Sequence, residues 1–167
     1  MSKNEIAIIV DENNTQIGSE PRSKMRKLGL IHRATYILVF NSKKEIFVQK
    51  RTKTKDVYPG YYDVVSGGVV TAGETYDESA KRELEEEVGI KDVPLFELFE
   101  FFFKESKMKV WGKAYSCSYE GDIILQEEEV ESGSFMNLDE VILKSKYEKY
   151  CPDGIYVLKR YLEDKRK

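Results

Sequence analysis

Strand-sized apolar runs separated by polar turns occupy most of the chain, and the period changes to a helical one at four places. Ile6 to Val10 and Thr15 to Gly18, joined by Asp11-Glu12-Asn13-Asn14, predict a hairpin with an Asx-rich turn. Arg22 to Leu28, after Pro21, has the length of one or two helical turns. Ala34 to Phe40 and Glu45 to Lys50 are rich in β-branched and aromatic residues and predict a second hairpin around Asn41-Ser42-Lys43-Lys44. A short strand, Asp63 to Ser66, leads into Gly67-Gly68, and a helix follows over Thr75 to Val88, capped at or just before Thr75 and closed by Gly89. Further strands are predicted over Leu95 to Phe103, Val110 to Ser118 and Ser134 to Asn137, with a turn near Glu105-Ser106-Lys107. Helices over Leu138 to Tyr147 and Gly154 to Arg160 complete the chain. Mixed strands with a few flanking helices predict an α/β or α+β fold in which both faces of the sheet are covered. A chain of 167 residues is read as one domain, 1–167, with residues 1–30 as an N-terminal hairpin and short helix.

Composition is that of a globular protein, 41% hydrophobic and 34% charged, and a net charge of −3 argues against a general nucleic-acid-binding surface. The longest apolar runs are strand-sized and Met1 to Glu5 lacks a signal peptide's long apolar region, so a cytoplasmic protein with no membrane partner is expected. Cys117 and Cys151 form no Cys-x-x-Cys pair and are read as small apolar packers. The distribution of charge is more informative than its sum. Glu20 to Lys55 holds eleven Lys or Arg against two acids, whereas Glu74 to Glu87 holds seven acids against two bases. A basic region facing an acidic one suits a polyanion bound together with its cations.

Within the acidic segment, Glu83, Glu86 and Glu87 fall at i, i+3 and i+4 of the predicted helix and project from one face, while Ala80, Leu84 and Val88 form the apolar stripe opposite. Glu85 points elsewhere. At an effective dielectric near 20, each carboxylate pair about 5–6 Å apart repels by roughly 3 kcal/mol, which something positive should offset. Oxygen ligands without His or Cys suit Mg²⁺ or Mn²⁺. Such an ion can bridge phosphate oxygens and activate a water nucleophile. Gly67 and Gly68 allow backbone to approach a metal or phosphate closely.

Gly68, Glu74, Arg82-Glu83, Leu84, Glu86-Glu87, Gly89 and Ile90 fit Gly-x5-Glu-x7-Arg-Glu-U-x-Glu-Glu-x-Gly-U, with U aliphatic, at every fixed position. This stretch, 68–90, resembles the Nudix box, and by that resemblance the chain looks like a Nudix hydrolase with an α/β/α sandwich around a mixed sheet. The resemblance implies cleavage of a diphosphate linkage in a nucleoside diphosphate derivative or related small molecule, with Mg²⁺ or Mn²⁺ as cofactor. It implies Glu83, Glu86 and Glu87 as metal ligands, Arg82 as the residue positioning them, and Glu74 in a supporting role. The resemblance implies a catalytic base that is either a glutamate of the box or one from a later loop, where Gln126 to Glu131 offers Glu129. Homodimers are common in the wider family.

The region before the box also resembles isopentenyl-diphosphate isomerases, through Ile31-His32-Arg33-Ala34, Lys50-Arg51, Lys55 and Pro59-Gly60. In that alignment Arg51 and Lys55 match diphosphate-binding residues, a role that a forked guanidinium and a point-charge ammonium both suit. The isomerase's own chemistry does not carry over: its cysteine corresponds to Gly67, a histidine ligand to Val69, and its acidic pair to Lys107 and Lys109. Only His32 of its histidine ligands remains, and it is read as a structural residue. Isomerisation and a non-catalytic binding module are the alternatives to hydrolysis. The aromatic cluster Phe96, Phe99, Phe101, Phe102 and Phe103 is read mostly as core, with Phe102 or Trp111 as the members that could reach the site.

Overall fold

The computed structural model describes residues 5–106 and 108–166. The residues 1–4 and Lys107, one of the two lysines aligned with the isomerase acids, lie outside them.

The hairpin expected at the N-terminus forms from β1 (Ile6–Val10) and β2 (Gln16–Pro21), and α1 (Arg22–Leu28) follows directly. Asp11 holds the turn by accepting from the Asn13 and Thr15 N–H groups. β3 (His32–Phe40) and β4 (Ile46–Arg51) are also strands, but they are not the expected hairpin. They share only the Phe40↔Ile46 pair. Beyond that pair the strands diverge, and the chain from Ser66 to Val70 enters the gap and bonds to β3. Alternation of side chains fixes which face a strand buries, but it does not say which edge it pairs along. β3 instead runs parallel to β7 (Met108–Ser118) over its whole length, and β7 pairs with β6 (Phe96–Glu105) in the hairpin that the sequence predicts. β4 pairs with β5 (Tyr62–Asp63) on one side and β8 (Val130–Met136) on the other. The expected strand from Asp63 to Ser66 is broken: only Tyr62–Asp63 pairs with β4, and Ser66 returns as a single bridge to Ile37.

Helices cover both faces, as the pattern requires. α2 (Tyr76–Val88) lays Ala80, Leu84 and Val88 on Ile37, Val39, Phe47 and Tyr115. On the other face α3 (Leu138–Lys144) and α4 (Pro152–Lys165) bury Val141, Val157 and Leu158 against Tyr36, Leu38, Ile46 and Val48. α3 stops short of the predicted Tyr147, where the Ser145 hydroxyl donates to the Ile142 carbonyl oxygen and competes with the helical ladder. α4 runs past Arg160 to Lys165 because Tyr161 and Leu162 continue its packed stripe. Phe101 is core, whereas Phe96 is exposed. Phe102 and Trp111 pack against each other as a tilted pair, 5.6 Å between centroids.

α2 starts on a capping box in which Thr75 accepts from the Glu78 N–H and the Glu78 side chain accepts from the Thr75 N–H. Gly89, at φ 71°, ends it in the left-handed region. Thr75→Ala should therefore cost about 1 kcal/mol of stability, read as a lower urea midpoint at unchanged m-value.

Candidate active site

The segment entering the gap between β3 and β4 brings the glycines into place. Thr35 N–H donates to the Gly68 carbonyl oxygen at 2.9 Å, and Ile37 exchanges bonds with Ser66 at 2.7 and 2.9 Å. Gly67 has φ 142°, and a Cβ there would overlap the Thr35 carbonyl oxygen. This backbone thus has no room for a side chain where an isomerase carries cysteine. A Cβ on Gly68 would come within 2.8 Å of the Glu83 carboxyl. Two missing side chains let a helix carboxylate lie directly against backbone.

Glu83 and Glu87, one turn apart on α2, are 1% and 5% exposed. Glu86 belongs to the same broad face, but 100° of helical rotation per residue separates it from Glu87, and its side chain stands at the solvent rim, 43% exposed. The three share one side of the helix at different depths: two are buried, and Glu86 stands at the rim, joined to Glu83 through Arg82 Nη1. Among the described residues no three His, Cys, Asp or Glu side chains are already gathered around one point as a metal cage. Burial first, and then their mutual repulsion, raise the Glu83 carboxyl well above its ordinary range. Burial likewise raises Glu87, against the Gln49 amide, which donates to its Oε1 at 3.1 Å. The Gly67 N–H also points at that oxygen, at 3.5 Å.

Arg82 joins the acids. Its Nε and Nη2 donate to the two oxygens of Glu74 at 2.6 and 2.9 Å, and its Nη1 donates to Glu83 at 2.9 Å and to Glu86 at 3.1 Å. The Glu74 hydrogen bonds raise the guanidinium's hold on its proton. Glu74 accepts as well from the Thr71 N–H and hydroxyl, so it orients Arg82 and the loop before α2 and caps no helix. Burial alone would raise its pKa, yet Arg82 and Thr71 outweigh that and bring it from 4.5 to about 2. Glu85 lies away from this group, paired with Lys91.

Opposite the acids, Lys55 and Glu129 form a close ion pair, both largely buried. Two residues with separate sequence-based roles, phosphate binding and proton abstraction, are thus partners. Arg51 lies one strand pleat from Gln49 on β4. Its Nε donates to the Val57 carbonyl oxygen at 3.1 Å, and its Nη1 stands 3.9 Å from Asp63. Gly67, Gly68, Arg51 and Lys55 line one cavity of about 70 Å³, small beside the ~300–1,000 Å³ typical of drug-sized ligand sites. His32 also lines it. Burial first, and then nearby Arg26, push the imidazole down to about 3, which keeps it neutral. Val69 is buried beside Met25 and Ile9, so the other histidine position of the isomerase belongs here to the apolar core. Neither Phe102 nor Trp111 lines the cavity; Trp111 packs beside Ile8, Val10 and Val70 and donates to the Glu12 carbonyl oxygen.

Several cavity residues carried no signal in the sequence. Gln49 reads as an ordinary strand residue, Asp63 as a strand end, and Asp153 as a helix-opening acid. Arg22 and Arg26 of α1 reach the cavity too, clamped by Asp56 from the loop after β4 at 2.9 and 3.3 Å. An acid in an apolar strand, as in Asp63-Val64-Val65, is the one available hint.

The chain matches the family model of the NUDIX domain over residues 30–159. It is 43% identical over 159 residues to a Pseudomonas aeruginosa protein named Uncharacterized Nudix hydrolase PA4841, covering 95% of this chain and 94% of that protein. Against the Escherichia coli K12 protein named Uncharacterized Nudix hydrolase YfcD the identity is 41% over 155 residues, covering 93% and 85%. The crystal structure of DR0079 from Deinococcus radiodurans superposes with a TM-score of 0.82 at 21% identity, over 93% of this chain and 98% of that one.

Because Glu74 titrates lower in the folded protein than its ordinary 4.5, its contribution is complete above that value and is lost as pH falls toward about 2. Urea unfolding at pH 6 and pH 3 should cost the wild type about 1–2 kcal/mol more between the two than it costs Glu74→Gln.

Proposed function

Since the chain belongs to the Nudix hydrolase family, we propose that it cleaves a diphosphate linkage in a small molecule, a nucleoside diphosphate derivative or a related compound, and does so in the cytoplasm. No described helix is long and apolar enough to cross a membrane, and both cysteines are free and buried, in keeping with that compartment. The observation that carries the reading is the pair of buried carboxylates, Glu83 and Glu87, set against the glycine loop, whose Gly67 and Gly68 line a cavity together with Arg51 and Lys55.

The donor set fits a hard divalent cation. All the candidate donors are carboxylate oxygens, the two buried ones repel each other, and the Oε1 of Gln49, whose amide holds Glu87, has no hydrogen-bond partner among the described residues. Glu83, Glu86 and Glu87 would hold Mg²⁺ or Mn²⁺. When bound, that ion would neutralise phosphate charge and acidify a water.

The protein's own groups divide the remaining work. Arg82 holds Glu83 and Glu86 in position from Glu74. Arg51 presents its guanidinium, and Lys55 its ammonium, to the diphosphate oxygens, and the Gly67 and Gly68 backbone permits close approach. Water attacks phosphorus, the bond to the bridging oxygen breaks, and a glutamate accepts the water's proton. Glu86, open at the rim, and Glu129, which its Lys55 partner keeps ionised, are the two groups able to take it.

Glu86→Gln and Glu87→Gln should each lower kcat by about 10²-fold or more with Mg²⁺, at unchanged melting temperature, in an assay that follows product masses. Turnover at the wild-type rate in both variants would remove the carboxylate assignment. Between the two candidate bases, the one whose Gln variant abolishes the rise of rate with pH on the acidic limb of the profile is the base.

A further inference from the structure

Two acids that the hydrolytic reading leaves idle line the same cavity. Gln49 and Asp63 are directly paired across β4 and β5, so the strand register that places the Gln49 amide on Glu87 also turns Asp63 toward the cavity. Asp63 is 7% exposed. Its Oδ1 accepts from the Val65 N–H at 3.3 Å, the Cys151 thiol bonds to the carboxyl, and Arg51 comes no nearer Oδ2 than 3.9 Å, beyond hydrogen-bond reach. Asp153, in the first turn of α4, lines the cavity beside it and accepts from the Tyr36 hydroxyl at 2.9 Å and the Gly154 N–H at 3.1 Å. Gly154 makes the juxtaposition possible, since a Cβ there would overlap Asp63 Oδ1. A glycine inside a helix is ordinarily a loss, and here it makes room for an acid.

Resting on the diphosphate-hydrolase reading, we propose that Asp63 and Asp153 form a subsite that recognises a neutral, hydroxylated group carried by the substrate's diphosphate. Burial raises the pKa of Asp153, but a hydroxyl, a backbone N–H and the positive end of α4 oppose that rise, so of the two acids it is the one that supplies an acceptor. Burial, and next the neighbouring Asp153, raise the pKa of Asp63, so that it keeps its proton near neutrality and supplies a donor. A hydroxyl both donates and accepts, and matches that pair. An ammonium group would meet Arg22, Arg26, Arg51 and Lys55, which line the same cavity, and a second anion would meet the acceptor oxygens of Asp153. A hydrocarbon would strip water from both acids and return no hydrogen bond, which is the arrangement by which a polar site rejects an analogue lacking the hydroxyl.

Two diphosphate monoesters of five-carbon alcohols, ribose 5-diphosphate and isopentyl diphosphate, isolate this preference. Calorimetric titration with Ca²⁺ in place of Mg²⁺ reads binding without requiring turnover. The wild type should bind the ribose ester at least about 10-fold more tightly. Asp63→Asn, Asp153→Asn and Gly154→Ala should each reduce that ratio to about 3-fold or less with the isopentyl affinity unchanged, and Asp63→Asn should not lower the melting temperature. Equal affinity for the two esters in the wild type, a preference for the isopentyl ester, absence of binding to either, or an equal loss on both esters in the variants would overturn the subsite. If the preference is present but neither ester is cleaved with Mg²⁺, the hydrolase reading fails and the subsite stands.

Discussion

Two carboxylates one helical turn apart, Glu83 and Glu87, are buried against a glycine loop, and the surrounding structure is organised around that burial. Like charges out of water are unstable unless donors reach them. Arg82 reaches Glu83 but spends three further hydrogen bonds on Glu74 and Glu86, and among the described residues Glu87 is reached by the Gln49 amide and, at a longer distance, by the Gly67 N–H. Negative charge is left over. A fold that retains such an excess beside Lys55 and Arg51 is prepared for a cation and a polyanion together.

The same constraint explains the backbone. Strands β3 and β4 part after one pair, and the gap receives Ser66 to Val70, whose two glycines lie against Thr35 on one side and Glu83 on the other. Had β3 and β4 remained paired, the carboxylates of α2 would face a closed sheet. The N-terminal hairpin and α1 contribute from outside: β1 bonds to the loop ahead of α2 through Ile8 N–H to Val70 and Ala72 N–H to Ile6. Arg22 and Arg26 fasten α1 to Asp56, which makes α1 a wall of the cavity.

The parts written into one continuous stretch were legible before any coordinates. The cap at Thr75, the stop at Gly89, the apolar stripe of α2 and the spacing of Arg82, Glu83, Glu86 and Glu87 depend on local periodicity, and the structure has each of them. What depends on tertiary pairing was not legible. Alternation predicts β3 and β4 as strands yet suggests a hairpin, because it carries no information on the competing parallel partner β7. Gln49, Asp63 and Asp153 meet through a two-residue strand and the start of a helix far along the chain, and the acid ahead of Val64-Val65 is the one local mark that any of them carries. Helical spacing also left the depth of each carboxylate open, since a face broad enough to hold i, i+3 and i+4 extends from the interior to the rim.

Mn²⁺ binding to the substrate-free protein, followed by electron paramagnetic resonance, tests the buried carboxylates most directly. The account expects saturable binding in the wild type and at least about 10-fold weaker binding in both Glu83→Gln and Glu87→Gln at unaltered fold. Equal Mn²⁺ affinity in the wild type and both variants would contradict it.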